Sequence, residues 1–76
     1  MTELTALAPP HAEVAAAIHA RCFPQPWDRA SFLSLLSMPG VFGWIARSDG
    51  DGPAGLVLCR RAGDECEVLT ICVLPE

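Results

Sequence analysis

Glu65-Cys66-Glu67-Val68-Leu69-Thr70-Ile71-Cys72-Val73-Leu74 is the stretch of the chain that decides its architecture. Its β-branched and aliphatic residues favour extended backbone. From Val68 to Leu74 both alternating faces are apolar or thiol-bearing, Thr70 excepted. A strand without a polar face is expected in the middle of a sheet covered on both sides. Strict alternation would also set Glu67 on one face with Leu69, Ile71 and Val73.

Working back from that strand, Ala62-Gly63-Asp64 reads as a turn and Ala54–Arg61 as a second strand. Ser48-Asp49-Gly50-Asp51-Gly52-Pro53 holds two Asp-Gly pairs, a hairpin signal, and Val41–Arg47 is short, aromatic and β-branched, a third strand. Before Gly40 the period becomes helical. Asp28 is placed to cap a helix over Arg29–Ser37 that buries Phe32, Leu35 and Leu36. Pro24 and Pro26 hold Phe23 and Gln25 in extended conformations. Pro10 can open a helix to Cys22, whose apolar positions are Val14, Ala17, Ile18 and Cys22. His11 and His19 are expected at its surface. Thr2–Ala8 alternates weakly, as a first strand does. The predicted order is β-α-α-β-β-β, an α/β (α+β) domain with a mainly antiparallel sheet.

The 76 residues allow one small domain. Hydrophobic residues make up 51% and charged residues 18%, the reverse of a disordered composition. The net charge of −4, with arginine as the basic residue throughout, weighs against nucleic-acid or anionic-membrane binding. No apolar run approaches the ~20 residues of a membrane span, and Met1-Thr2-Glu3-Leu4 does not start a signal peptide. The expected location is the cytoplasm. There Cys22, Cys59, Cys66 and Cys72 are expected to be reduced thiols packed as small hydrophobes. Neither a CxxC pair nor a Cys/His pair at zinc spacing occurs, so no metal site is expected.

Local motifs are few. No glycine-rich loop joins a strand to a helix, and no nucleophile elbow is present. Arg60-Arg61 reads as a solvated strand end. Glu67 is the candidate general base: a carboxylate at the edge of an apolar face is held protonated to higher pH, as base chemistry needs. The residues alone leave a second reading open, in which Glu67 is the exposed end of its strand.

Two segments resemble the GCN5-related N-acetyltransferase family. Arg21-Cys22-Phe23-Pro24-Gln25-Pro26-Trp27-Asp28 is similar to the junction between the first two helices of bacterial ribosomal-protein-alanine N-acetyltransferases. Glu67 to Glu76 is similar to that family's fourth strand, and Gly40–Leu58 to its central hairpin. The resemblance spans essentially all of residues 1–76, as the N-terminal half of the fold. It implies transfer of acetyl from acetyl-CoA to a protein N-terminal amine, such as the alanine of a small-subunit ribosomal protein. It assigns the backbone of Ile71, Cys72 and Val73 to the acetyl and pantetheine arm, and Phe23, Pro26 and Trp27 to the acceptor groove. Glu67 matches a position where some members carry a base.

The family's pyrophosphate loop follows its fourth strand, and this sequence reaches Glu76 where that loop would start. The expectation is a single partial domain, 1–76, inactive as an isolated chain. A second expectation is a non-catalytic peptide-binding module that dimerises. In either case the apolar strand Glu65–Leu74 should drive homo-oligomerisation.

Overall fold

The computed structural model describes residues 2–48, 50 and 52–74. The two Asp-Gly aspartates of the predicted hairpin turn, Asp49 and Asp51, lie outside the described residues, as do Pro75 and Glu76. The elements are β1 (Thr2–Ala6), α1 (Ala12–Cys22), α2 (Arg29–Leu36), β2 (Val41–Ser48), β3 (Gly52–Ala62) and β4 (Glu65–Val73). A single 3-10 turn, Pro9–His11, leads into α1. The four strands form one sheet in the order β1-β2-β3-β4, with every neighbouring pair antiparallel. The sheet is therefore the antiparallel α+β arrangement anticipated from the sequence.

Local chemistry accounts for the boundaries. Two prolines at Pro9-Pro10 end β1 and start the 3-10 turn, where His11 Nδ1 accepts the Ala8 N–H at 3.0 Å. Asp28 caps α2 as expected: its Oδ1 accepts the Ser31 N–H at 2.9 Å, and that bond holds the carboxyl below its ordinary range. Gly50 and Gly63 turn the two hairpins with φ of 77° and 61°, a region that costs other residues a Cβ clash.

Both helices pack on one face of the sheet. Phe32 of α2 meets Ile45 of β2 and Leu58 of β3 in the core, and all three are fully enclosed. The α1 stripe that faces the sheet is Ala12, Ala15, Ile18 and His19. This is one residue away from the expected stripe: Ala17 is exposed and Val14 and Cys22 are half-buried. With alanines at five of the helix's eleven positions, several stripes are nearly equal in apolar character, and packing selects among them.

Two expectations for β4 are overturned. It is an edge strand, not an interior one, and its second face is open. Ile71 and Val73 are 62% and 74% exposed, and Leu4, Phe42, Trp44 and Val68 are exposed large hydrophobics too. Register puts these residues on the face away from the helices: Leu4 opposes Ala46, Trp44 opposes Val57, and Val57 opposes Ile71. The absence of a polar face thus reflects one face under helices and one left apolar.

Strict alternation along β4 also fails. Leu58 pairs with Thr70 but Cys59 pairs with Val68, so Leu69 is an extra residue, a β-bulge. Beyond the bulge the faces exchange. Glu67, Leu69, Thr70 and Cys72 lie on the helix side, while Val68, Ile71 and Val73 lie on the open side. Glu67 does not share a face with Ile71 and Val73.

Candidate active site

The junction between α1 and α2 folds back against the bulged part of β4, and a groove of about 390 Å³ forms between them. Its walls include His19 and Phe23 from the end of α1, Gln25 and Trp27 from the junction, and Leu69 and Thr70 from β4. The bulge is what aims both Leu69 and Thr70 at the junction; regular alternation would send one of them to the other face.

His19 organises the groove. Its ring lies 4.9 Å from that of Trp27 in a stacked arrangement, 4.3 Å from Phe23, and edge-on to Phe32 at 5.5 Å. Nδ1 accepts the Trp27 backbone N–H at 2.9 Å, and Nε2 lies 3.0 Å from Thr70 Oγ1. Burial lowers the proton affinity of the ring below its usual value, because the imidazolium would lose solvent without gaining a counter-charge. His19 was expected at the surface; it is instead a buried, doubly bonded residue. The sequence held only part of the signal, because several alanine stripes compete for the sheet. His19 sits at i+4 from Ala15 and i+7 from Ala12, on the stripe that is buried. Thr70 was likewise missed as a site residue, though it is the single polar position between Val68 and Leu74.

Phe23 and Trp27, which the resemblance assigned to an acceptor groove, are among the residues that line this one. Pro26 is exposed and is not among the lining residues. Its part is to keep the junction out of helical geometry, so that α2 starts only after Asp28.

Ile71, Cys72 and Val73 come together at the far end of β4, beside an apolar depression of about 340 Å³ shared with Leu4, Trp44 and Val57. The Leu74 N–H bonds to the Ala54 carbonyl at 2.7 Å. Alternation along the strand therefore points the backbone groups of Cys72 into the sheet and those of Ile71 and Val73 out toward the free edge. The Cys72 side chain is buried on the helix side, and burial beside Cys22 pushes its thiol up to about 12. It is an inert, uncharged thiol, not a nucleophile. All four cysteines are free, as expected; Cys66, however, is exposed rather than packed.

Glu67 lies before the bulge, exposed and opposite Arg60. It lines neither the groove nor the depression beside Ile71. Among the described residues, no group of His, Cys, Asp and Glu side chains is assembled to hold a metal. Among the described residues, no helix is long and apolar enough to cross a membrane.

A sheet of this order with two helices on one face is an arrangement shared with part of solved N-acetyltransferase structures. The ribosomal-protein-S18-alanine N-acetyltransferase from Escherichia coli superposes with a TM-score of 0.84 at 21% identity, over 99% of this chain and 47% of that one. The ribosomal-protein-alanine N-acetyltransferase from Brucella melitensis biovar Abortus 2308 gives 0.69 at 19% identity, over 97% and 59%. The chain thus spans about half the length of the acetyltransferase structures it resembles. No family model and no curated protein sequence matches it.

Proposed function

We propose that these residues form the acceptor-groove and acyl-arm half of an N-acetyltransferase, acting on acetyl-CoA and a protein N-terminal amine. The observation that carries this reading is a juxtaposition on one strand. The outward backbone N–H groups of Ile71 and Val73 stand at the edge of the described sheet, with the Val73 carbonyl 3.9 Å from Cys22 Sγ, one residue beyond a groove built by His19, Phe23, Trp27 and Thr70. Acetyl-CoA would supply an activated thioester on an amide-bearing arm. An edge strand can bind such an arm as a further strand, and an outward N–H near the thioester carbonyl would stabilise the charge that develops there. The groove would present the amine from the helix side. A small-subunit ribosomal protein is the acceptor suggested by the kinship in fold, and the cytoplasm is the matching compartment.

Glu67 is a distant candidate for the base. If it serves, it acts through solvent or after approach of another segment, because it does not face the groove.

The test is titration of the 15N-labelled chain with S-acetyl-pantetheine, which carries the arm without the nucleotide. Amide shifts centred on Ile71 and Val73 support the assignment. Shifts confined to residues away from β4 would defeat it.

A second reading has its own observation. The open face of the sheet is apolar from Leu4 across Trp44 to Val73, and a non-catalytic module could use it to form a homo-oligomer while the groove binds peptide. Peptide binding without any response to S-acetyl-pantetheine would favour that reading.

A further inference from the structure

The hydrogen bonds of His19 fix its tautomer. The Trp27 backbone N–H can only donate, so Nδ1 at 2.9 Å must be the acceptor and carries no proton. A neutral imidazole then holds its one proton on Nε2, and Nε2 donates to Thr70 Oγ1 at 3.0 Å. His19 has no lone pair left to take a proton from a substrate. Its place in the groove is that of a positioning residue.

Thr70 has one acceptor site occupied by His19, and its hydroxyl proton has no acceptor among the described residues. A hydroxyl that already accepts a bond is polarised toward donating one. Thr70 is half-buried and lines the groove, so this donor is offered to whatever occupies it. Among the described residues, no charged side chain lines the groove. A carboxylate or phosphate would therefore lose its hydration there without gaining a counter-ion. The matching group is a neutral acceptor such as a peptide carbonyl, with the rings of Phe23 and Trp27 beside it.

We propose that Thr70 anchors the first carbonyl of a bound peptide through its hydroxyl, with His19 holding that hydroxyl in place. This inference rests on the acceptor-groove reading and adds the residue that anchors the bound peptide and the residue that orients the anchor. The same apolar walls disfavour the ammonium form of the amine, which must be neutral to attack a thioester.

The experiment uses the whole 15N-labelled chain at neutral pH. Long-range 1H–15N correlation of the ring is expected to find the proton of His19 on Nε2; a proton on Nδ1 would overturn the positioning role. Titration with alanyl-alaninamide is expected to shift the amides of Thr70 and Trp27. Thr70→Val, a near-isostere, should weaken binding about fivefold, the effect of one neutral hydrogen bond, and Thr70→Ser should restore it. His19→Leu should weaken binding similarly, while His19→Gln, which keeps a donor toward Thr70, should rescue it. Isobutylamine, an amine without a carbonyl, should bind wild type and Thr70→Val alike. If alanyl-alaninamide shifts the groove but Thr70→Val binds it as wild type does, the anchor is refuted and the groove reading stands. If no groove amide moves, both fall.

Discussion

Trp27 and His19 are joined twice: their rings stack at 4.9 Å with 17° between planes, and the Trp27 backbone N–H bonds to His19 Nδ1. The contact ties the helix junction to the inner face of α1 at a point eight residues back in sequence. Since Nε2 of the same ring reaches Thr70, one imidazole fastens the junction, α1 and β4 together.

The proton affinity of His19 makes stability depend on pH in a definite sense. Burial depresses the folded-state value below the ordinary 6.5, so the unfolded chain takes up this proton first as pH falls. Stability from this residue is complete above the unfolded value. It declines as pH drops through about 6.5 and levels off below the folded value. Urea midpoints at several pH values between 5 and 8, a span set by the ordinary imidazole range, should fall on the acid side, and His19→Gln should flatten the decline. An equal slope in both proteins would contradict the assignment.

Phe32 is completely enclosed between the helices and the sheet. Phe32→Ala should cost about 3–5 kcal/mol, most of the stability a chain of this size is able to have. Loss of the cooperative thermal transition is the expected result. A melting curve shifted by only a degree or two would show that the core is not organised around this ring.

Acetyl-CoA itself should bind these residues weakly, with Kd in the millimolar range or above. Phosphates are held by the free N–H groups of helix N-termini. The N-terminus of α2 is occupied by the Asp28 carboxylate, and α1 is entered through a proline-led 3-10 turn. Micromolar affinity by calorimetry would show a phosphate site that the described residues do not contain.

Self-association should proceed through the open face of the sheet. Burying ~600 Å² of apolar surface at ~25 cal/mol per Å² is worth ~15 kcal/mol before the costs of association. Ile71 and Val73 form the strongly exposed β4 margin of that surface. Sedimentation equilibrium at about 100 µM, a concentration suited to an association of that size, should return a dimer or larger. Ile71→Lys should return a monomer. A monomeric wild type, or an unchanged variant, would refute this interface.

The order of elements was readable in the chain because punctuation and period agree. Pro9-Pro10, the Asp28 cap, Gly40 and Gly63 each mark a boundary that the structure keeps. Phe23 and Trp27 were singled out through the resemblance of residues 21–28 to a family's helix junction, and both line the groove. His19 and Thr70 were not. A polar side chain on an apolar stripe looks the same in sequence whether it is tolerated at the rim or bonded within, and its partner lies 51 positions away. The bulge at Leu69 was hidden for a related reason. Nothing in Val68-Leu69-Thr70-Ile71 distinguishes a regular strand from one carrying an extra residue, because the partner strand sets the register. The placement of Glu67 failed with it.

The strand order β1-β2-β3-β4 also dictates how the molecule assembles in time. β2, β3 and β4 are neighbours both in the chain and in the sheet, so their hairpins close short loops and can form early. The bond between His19 and Thr70 closes a loop of 51 residues and must wait for that meander. The groove is therefore expected to close late and to open while the three-stranded meander persists. Native-state hydrogen exchange should show the amides of Trp27 and the end of α1 exchanging through a smaller opening than those of Leu56 and Leu58; equal protection would mean that the domain opens only as a whole. A site that closes last is also one that a ligand can tighten without rebuilding the sheet beneath it.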